Sequence, residues 1–159
     1  MALGYELTIT DGKGGEITLS SLKGKHEGRG DIICASYKSN TLNDDSIARS
    51  NDVRAEIKII GRITEGNKDT TCELAKWSIE TDSSLIYRKV ILTIYPSTDN
   101  PILLRNYELE NMFVLDYTES FDMPTENFSK QINSENDDGL FELYLVQKNG
   151  AYSQYIESK

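Results

Sequence analysis

Residues 107–122, "YELENMFVLDYTESFD", alternate in character along their whole length. Tyr107, Leu109, Phe113, Leu115, Tyr117 and Phe121 fall on odd positions, and Glu108, Glu110, Asp116, Thr118 and Ser120 on even ones. A period of two describes a strand with one face in a core and the other in water. The run is far longer than the usual strand of about five or six residues. A chain that contains it has to build a sheet around it, and that sheet has an acidic, wet face. The face is a plain surface, a partner site or the wall of an aqueous channel.

The rest of the chain supplies the strands for such a sheet. "GYELTIT" (4–10) alternates and is followed by the turn "DGKGG". Short strands are expected at Ile17–Leu19 and over "DIICASYKS" (31–39). In "VRAEIKIIGRIT" (53–64), Val53, Ala55, Ile57, Ile59 and Ile63 face one way and Arg54, Glu56, Lys58 and Arg62 the other. "LIYRKVILTIYPS" (85–97) is a strand with Val90, Leu92 and Ile94 inward, ended by Pro96. A bend is expected near Asn111, and "GLFELYLVQKNG" and "AYSQYIES" close the chain as a strong and a weak strand.

The period changes once, in "KDTTCELAKWSIET" (68–81), which reads as a helix of about three turns. Thr70 and Glu73 have capping-box spacing. Leu74, Trp77 and Ile79 are the residues expected to pack the helix against the sheet or a neighbouring subunit. The fold class is therefore mainly β, an antiparallel barrel or sandwich of seven or eight strands with one packed α-helix. No linker divides residues 1–159, so a single domain is expected. It carries a long loop at 40–52 and a polar, acidic loop at 122–138.

Chemistry is sparse. The one histidine, His26, excludes a two-histidine metal site and an H-E-x-x-H helix. Cys34 and Cys72 are far apart, with no second cysteine near either, and read as reduced structural thiols, Cys34 as a buried strand residue. G-x-S-x-G is absent, "DGKGG" lacks the Lys-Ser/Thr ending of a phosphate loop, and "NDDS" and "SENDDG" lack calcium-loop spacing. Glu108 and Glu110 read as solubilising charge rather than as a glycosidase pair. No catalytic residue, cofactor or metal is expected. A net charge of −9 argues against nucleic acid, no apolar run is long enough for membrane insertion, and "MALGYELTIT" does not read as a secretory signal. A binding module for carbohydrate or protein is the alternative, since Trp77 and nine tyrosines offer rings that stack on sugars.

Four stretches, "DSIARSNDVRAEIKIIGRI", "LAKWSIETDSSLIYRKVILTIY", "LLRNYELENMFVLDYTESF" and "GLFELYLVQKNG", taken in order, resemble the tube proteins of contractile injection systems. These are the Hcp-like proteins of type VI secretion and their phage-tail and tailocin relatives, with the variants of Gram-positive, clostridium-like bacteria nearest. The resemblance covers Asp45 to Lys148; the 122–138 segment and the N-terminal hairpin depart from it. It implies a small β-barrel with a side helix, present as homo-hexameric rings stacked into a hollow tube, with sheath and baseplate or spike components as partners. It also implies a subunit that is cytoplasmic before assembly and leaves in the extruded particle. A polar strand face would then line the bore. The 40–52 loop would reach the next ring, making Leu42, Asp44, Asp45, Ile47, Arg49 and Asp52 the assembly contacts.

Overall fold

Asp11 starts the first reversal of the chain. Its Oδ1 accepts from the backbone N–H groups of Lys13 (2.7 Å) and Gly15 (2.8 Å), while Gly14 takes a φ of 87° that suits a residue without Cβ. The hairpin so formed joins β1 (Gly4–Thr10) to β2 (Glu16–Ser20). The computed structural model describes residues 3–21, 30–40, 54–97, 102–121, 139–148 and 154–158. Its further elements are β3 (Ile32–Asn40), β4 (Arg54–Ile63), α1 (Lys68–Ser78) and the single turn α2 (Ser83–Ile86). Then come β5 (Arg88–Tyr95), β6 (Arg105–Ser120), β7 (Gly139–Gln147) and β8 (Gln154–Glu157).

The strands run in the order β2-β1-β5-β6-β7-β4-β3, every pair antiparallel, with β8 added on β6. β6 belongs to both halves of this path. Its first half pairs with β5 and β8, and its second half with β7. The two half-sheets pack across one core, in which Leu7, Ile9 and Leu92 meet Ile57, Ile59, Leu143 and Leu145. At one end of that core Tyr37 of β3 stacks on Tyr107 of β6, with ring centroids 4.4 Å apart. Gly61 is required where it stands, because a Cβ there would lie 2.3 Å from the Phe141 ring.

The alternation read along β6 holds at its two ends and inverts between them. Asn111 has a φ of 57°, and pairing slips between Arg88 and Val90 opposite it and again between Val114 and Asp116. Each irregularity adds one residue and turns the strand over. The core face therefore reads Tyr107, Leu109, Met112, Val114, Tyr117. Phe113 is displaced outward, Leu115 is 56% exposed and Phe121 62% exposed, contrary to the sequence expectation for all three. The even residues Glu108, Glu110, Asp116, Thr118 and Ser120 lie off the core face as expected.

Helix α1 lies against β2 and β6 and buries Thr71, Leu74 and Trp77. Trp77 is 3% exposed, its Nε1 donates to the Ile86 carbonyl (2.8 Å), and the Arg88 guanidinium lies 4.9 Å from the ring centre. Ile79, read as a packing residue, follows the last helical turn and is 78% exposed within the subunit. The capping box is not formed. Asn67 occupies the cap, Thr70 lies inside the helix, and Glu73 pairs with Lys76 (3.2 Å).

Asn67 serves a different purpose. Its Nδ2 donates to Asp31 Oδ1 (2.8 Å) and to the Arg62 carbonyl (2.8 Å). The buried Asp31 also accepts from the Ser20 N–H (2.9 Å) and donates its own N–H to the Ser20 carbonyl (3.1 Å). The Asp31 carboxylate thus ties the end of β2 to the start of α1, and the Asn67 amide carries the link on to the end of β4. Residues 85–87, read as strand, instead include the end of α2, because Asp82 Oδ1 caps the turn by accepting from the Ser84 N–H (3.0 Å).

Two substitutions test this framework by urea unfolding. Trp77→Ala is expected to lower stability by about 3–5 kcal/mol, as for a large buried aromatic; an unchanged midpoint would place the ring outside the core. Asn111→Gly is expected to cost less than about 1 kcal/mol. Asn111→Val should cost about 1–2 kcal/mol or more, because a branched side chain resists positive φ.

Candidate functional site

Pairing register fixes which side chains share the outer surface of each half-sheet. On β2-β1-β5-β6-β8 the outer residues are Glu16 and Thr18, Glu6 and Thr8, Lys89 to Tyr95 by twos, Asn106, Glu108 and Glu110, and Glu157. Five carboxylates share this face with one ammonium. Three of them, Glu6, Glu108 and Glu110, are held by cross-strand contacts. Tyr95 Oη donates to Glu6 (2.8 Å), Thr93 Oγ1 to Asn106 (2.8 Å) and Asn106 Nδ2 to Glu108 (3.2 Å). Lys89 stands 3.8 Å from both Glu108 and Glu110. The acidic pair is therefore bridged by a cation, which is not the arrangement of two carboxylates flanking a scissile bond.

The other half-sheet presents a different surface. Across β6, β7, β4 and β3 one row reads Asp116, Tyr144, Lys58, Ser36, and the next Thr118, Glu142, Ile60, Cys34. The flanking rows hold Glu56 opposite Lys38, and Arg62 opposite Leu140 and on to Ser120. Lys38, Ser36, Cys34, Lys58, Asp116 and Thr118 are all exposed. Tyr144 Oη donates to Glu56 (2.8 Å), and the Lys58 ammonium lies 5.5 Å from the Tyr144 ring centre. This face carries polar side chains of mixed sign with Phe113, Val146, Ile60 and Leu140 among them, and among the described residues its outermost strand, β3, pairs with β4 alone.

Cys34 is exposed here rather than buried, because pairing slips between Ile32 and Cys34 and turns it away from the core. Partial burial of the sulfur, then the Glu142 carboxylate, push its thiol up from the ordinary cysteine value. Cys72 is exposed on α1, and both cysteines are free. The Trp77 ring is buried under Arg88, so the ring proposed for sugar stacking offers no platform. His26 and the loop residues Leu42, Asp44, Asp45, Ile47, Arg49 and Asp52 lie outside the described residues, as does 122–138. Among the described residues no three His, Cys, Asp or Glu side chains cluster to hold a metal, and no helix is long and apolar enough to cross a membrane.

The sequence identified the wet positions of β6 but not that they serve two surfaces. Glu108 and Glu110 belong to the acidic half-sheet, and Asp116, Thr118 and Ser120 to the mixed one. The one available signal is Asn111, a residue type that tolerates the left-handed region.

The tyrosines give a pH test of these contacts. Burial, then the bond to Glu6, push Tyr95 up to about 12. Burial, then Glu119, push Tyr117 further in the same direction, and the bond to Glu56 raises Tyr144. A folded pKa above the unfolded one adds stability that is intact below the unfolded value, about 10, and is lost as pH climbs through the folded value. Unfolding free energy is expected to be flat with respect to these groups up to pH about 9 and to fall steeply from about 10 to 12. Tyr95→Phe should reduce the slope of that fall.

No family model matches the sequence, and no curated protein matches it. Solved structures do match. The Hcp1 protein from the E. coli EAEC 042 pathovar superposes with a TM-score of 0.53 over 98% of each chain at 11% identity. A type six secretion system protein gives 0.52 over 95% of this chain and 91% of that one, at 12% identity. A chain of the PVC sheath-tube complex, an extracellular contractile injection system in the extended state, gives 0.46 over 96% and 88%, at 16% identity. The structural neighbours of this chain are thus Hcp and tail-tube proteins, and its β-rich architecture with packed helices is the Hcp-like fold.

Proposed function

We propose that this chain is a structural subunit of the inner tube of a contractile injection machine. In this reading residues 1–159 form one tube-type β-barrel domain, six copies close into a ring, and rings stack around a hollow bore. The observation that carries the reading is the half-sheet β6-β7-β4-β3. Its outer face carries exposed side chains of both signs, and among the described residues β3, nine residues long, pairs with β4 alone. An edge of that length invites another strand, and a ring of copies consumes it without leaving a new one. The outer face of this half-sheet then lines the bore, which calls for water-compatible side chains and no catalytic group. The fold shared with Hcp proteins supports the same reading. Sheath and baseplate or spike components are the further partners, and the subunit is cytoplasmic until it assembles.

The native cysteines test this directly. In the free subunit Cys34 is expected to react with both a small maleimide and a bulky polymer-linked one, at mildly alkaline pH to offset its raised pKa. In assembled tubes, confirmed by electron microscopy, the small reagent should still label Cys34 and the bulky one should not. Unhindered bulky labelling in tubes would place this face outside. For stacking, replacing residues 42–49 with a Gly/Ser linker should leave a folded subunit whose rings do not stack. Tubes of normal length from that variant would move the stacking contacts elsewhere.

A further inference from the structure

The chain carries a net charge of −9, yet that excess is unevenly placed. Among the described residues the β2-β1-β5-β6-β8 outer face holds Glu6, Glu16, Glu108, Glu110 and Glu157 against Lys89 alone. The β6-β7-β4-β3 outer face holds the cations Lys38, Arg54, Lys58 and Arg62 against Glu56, Asp116 and Glu142. Its charges also alternate in space. Lys38 stands opposite Glu56, and Lys58 shares a row with Asp116 across Tyr144. Glu142 lies diagonal to Lys58 and to Arg62, and Arg62 Nη1 donates to the Gly30 carbonyl (2.9 Å).

We infer that the bore of the proposed tube is charge-compensated, a conduit that passes polypeptide cargo of either sign and gives polyanions no foothold. The inference rests on the bore assignment above. Symmetry repeats every lining charge around the ring, so a face of one sign would build a potential of several kT in a narrow aqueous space. A face that cancels within each subunit avoids that field. Binding to a phosphate backbone needs clustered cations that release counterions. Among the described residues each exposed ammonium of this face has a carboxylate on a neighbouring strand or row, so they form no continuous basic track. Among the described residues the carboxylates in excess lie on the opposite half-sheet face, where they promote solubility without acting on cargo.

The test uses full-length Cys72→Ser protein carrying a fluorophore on Cys34, quenched at low ionic strength by iodide and by caesium. The ratio of the two quenching constants reports the sign of the local potential. On assembly into tubes the ratio is expected to change by less than about threefold, as for a potential near or below kT. Tubes of the same labelled protein carrying Lys58→Glu should shift the ratio toward caesium by more than that, which confirms that the probe senses the bore. A shift of tenfold or more in tubes without Lys58→Glu would overturn the inference. If tubes form but a bulky neutral quencher reaches the fluorophore freely, the bore assignment fails instead. Fluorescent single-stranded DNA should not be retained by unlabelled tubes at low salt, and retention that falls steeply with added salt would also overturn compensation.

Discussion

The reversal of β6 at Asn111 is the constraint on which the rest of the architecture depends. A sixteen-residue strand kept in one sheet would project far beyond its neighbours, since β5 spans eight residues and β7 nine. By adding one residue at Asn111 and another before Asp116, the chain bends β6 and lets it serve β5 and β8 on one half and β7 on the other. The left-handed residue costs little because asparagine tolerates that region, and its carbonyl accepts from the Lys148 N–H (2.7 Å). The two extra residues cancel in phase. Leu109 and Tyr117 both reach the core although the strand between them is inverted.

Bending one strand into two half-sheets leaves a gap that has to be covered. Helix α1 packs there against β2 and β6, with Leu74 and Trp77 as its buried apolar residues. Asp31 holds the same region by hydrogen bonds. It accepts from Ser20 and Asn67, and its own carbonyl accepts from the Arg62 N–H (2.8 Å). A buried carboxylate is costly unless its acceptors are filled, and here one oxygen accepts from the Ser20 N–H of β2 and the other from the Asn67 amide at the start of α1. Hydrophobic burial and polar satisfaction therefore act at the same junction. That explains why Asn67, rather than the Thr70–Glu73 pair, stands at the start of the helix.

Much of this was legible in the sequence because alternation reports burial directly. The faces of β4 and the outward set Glu108, Glu110, Asp116, Thr118 and Ser120 follow from period alone. Phe113 and Leu115 were misassigned because a bulge is defined by the residue count of the paired strand, which no local window contains. Cys34 was misread for the same reason, since the slip after Ile32 is a property of the β3–β4 pair. The Asp31–Asn67 bond joins residues 36 apart and has no periodic signature. The division of charge between two surfaces became visible only once register assigned each carboxylate to a half-sheet.

In the proposed tube, that division bears on assembly as well as on cargo. β3 is an edge strand without proline, and Lys38 is its only cation. Strands of this kind are hazards in a monomer, and proteins ordinarily guard them with charge, proline or a covering element. The weak protection of β3 makes sense where the edge is meant to be used by another copy. Repetition around the proposed ring would then set the electrostatic condition. A surface that cancels its own charge can be brought close to its symmetry mates with little repulsion, whereas one with five carboxylates to one lysine cannot. The half-sheet that ends in the nine-residue β3 is the compensated one, and the acidic half-sheet ends in the shorter β2. In the proposed ring, the longer edge and the compensated charge thus put the same side of the molecule into the crowded, repeated environment.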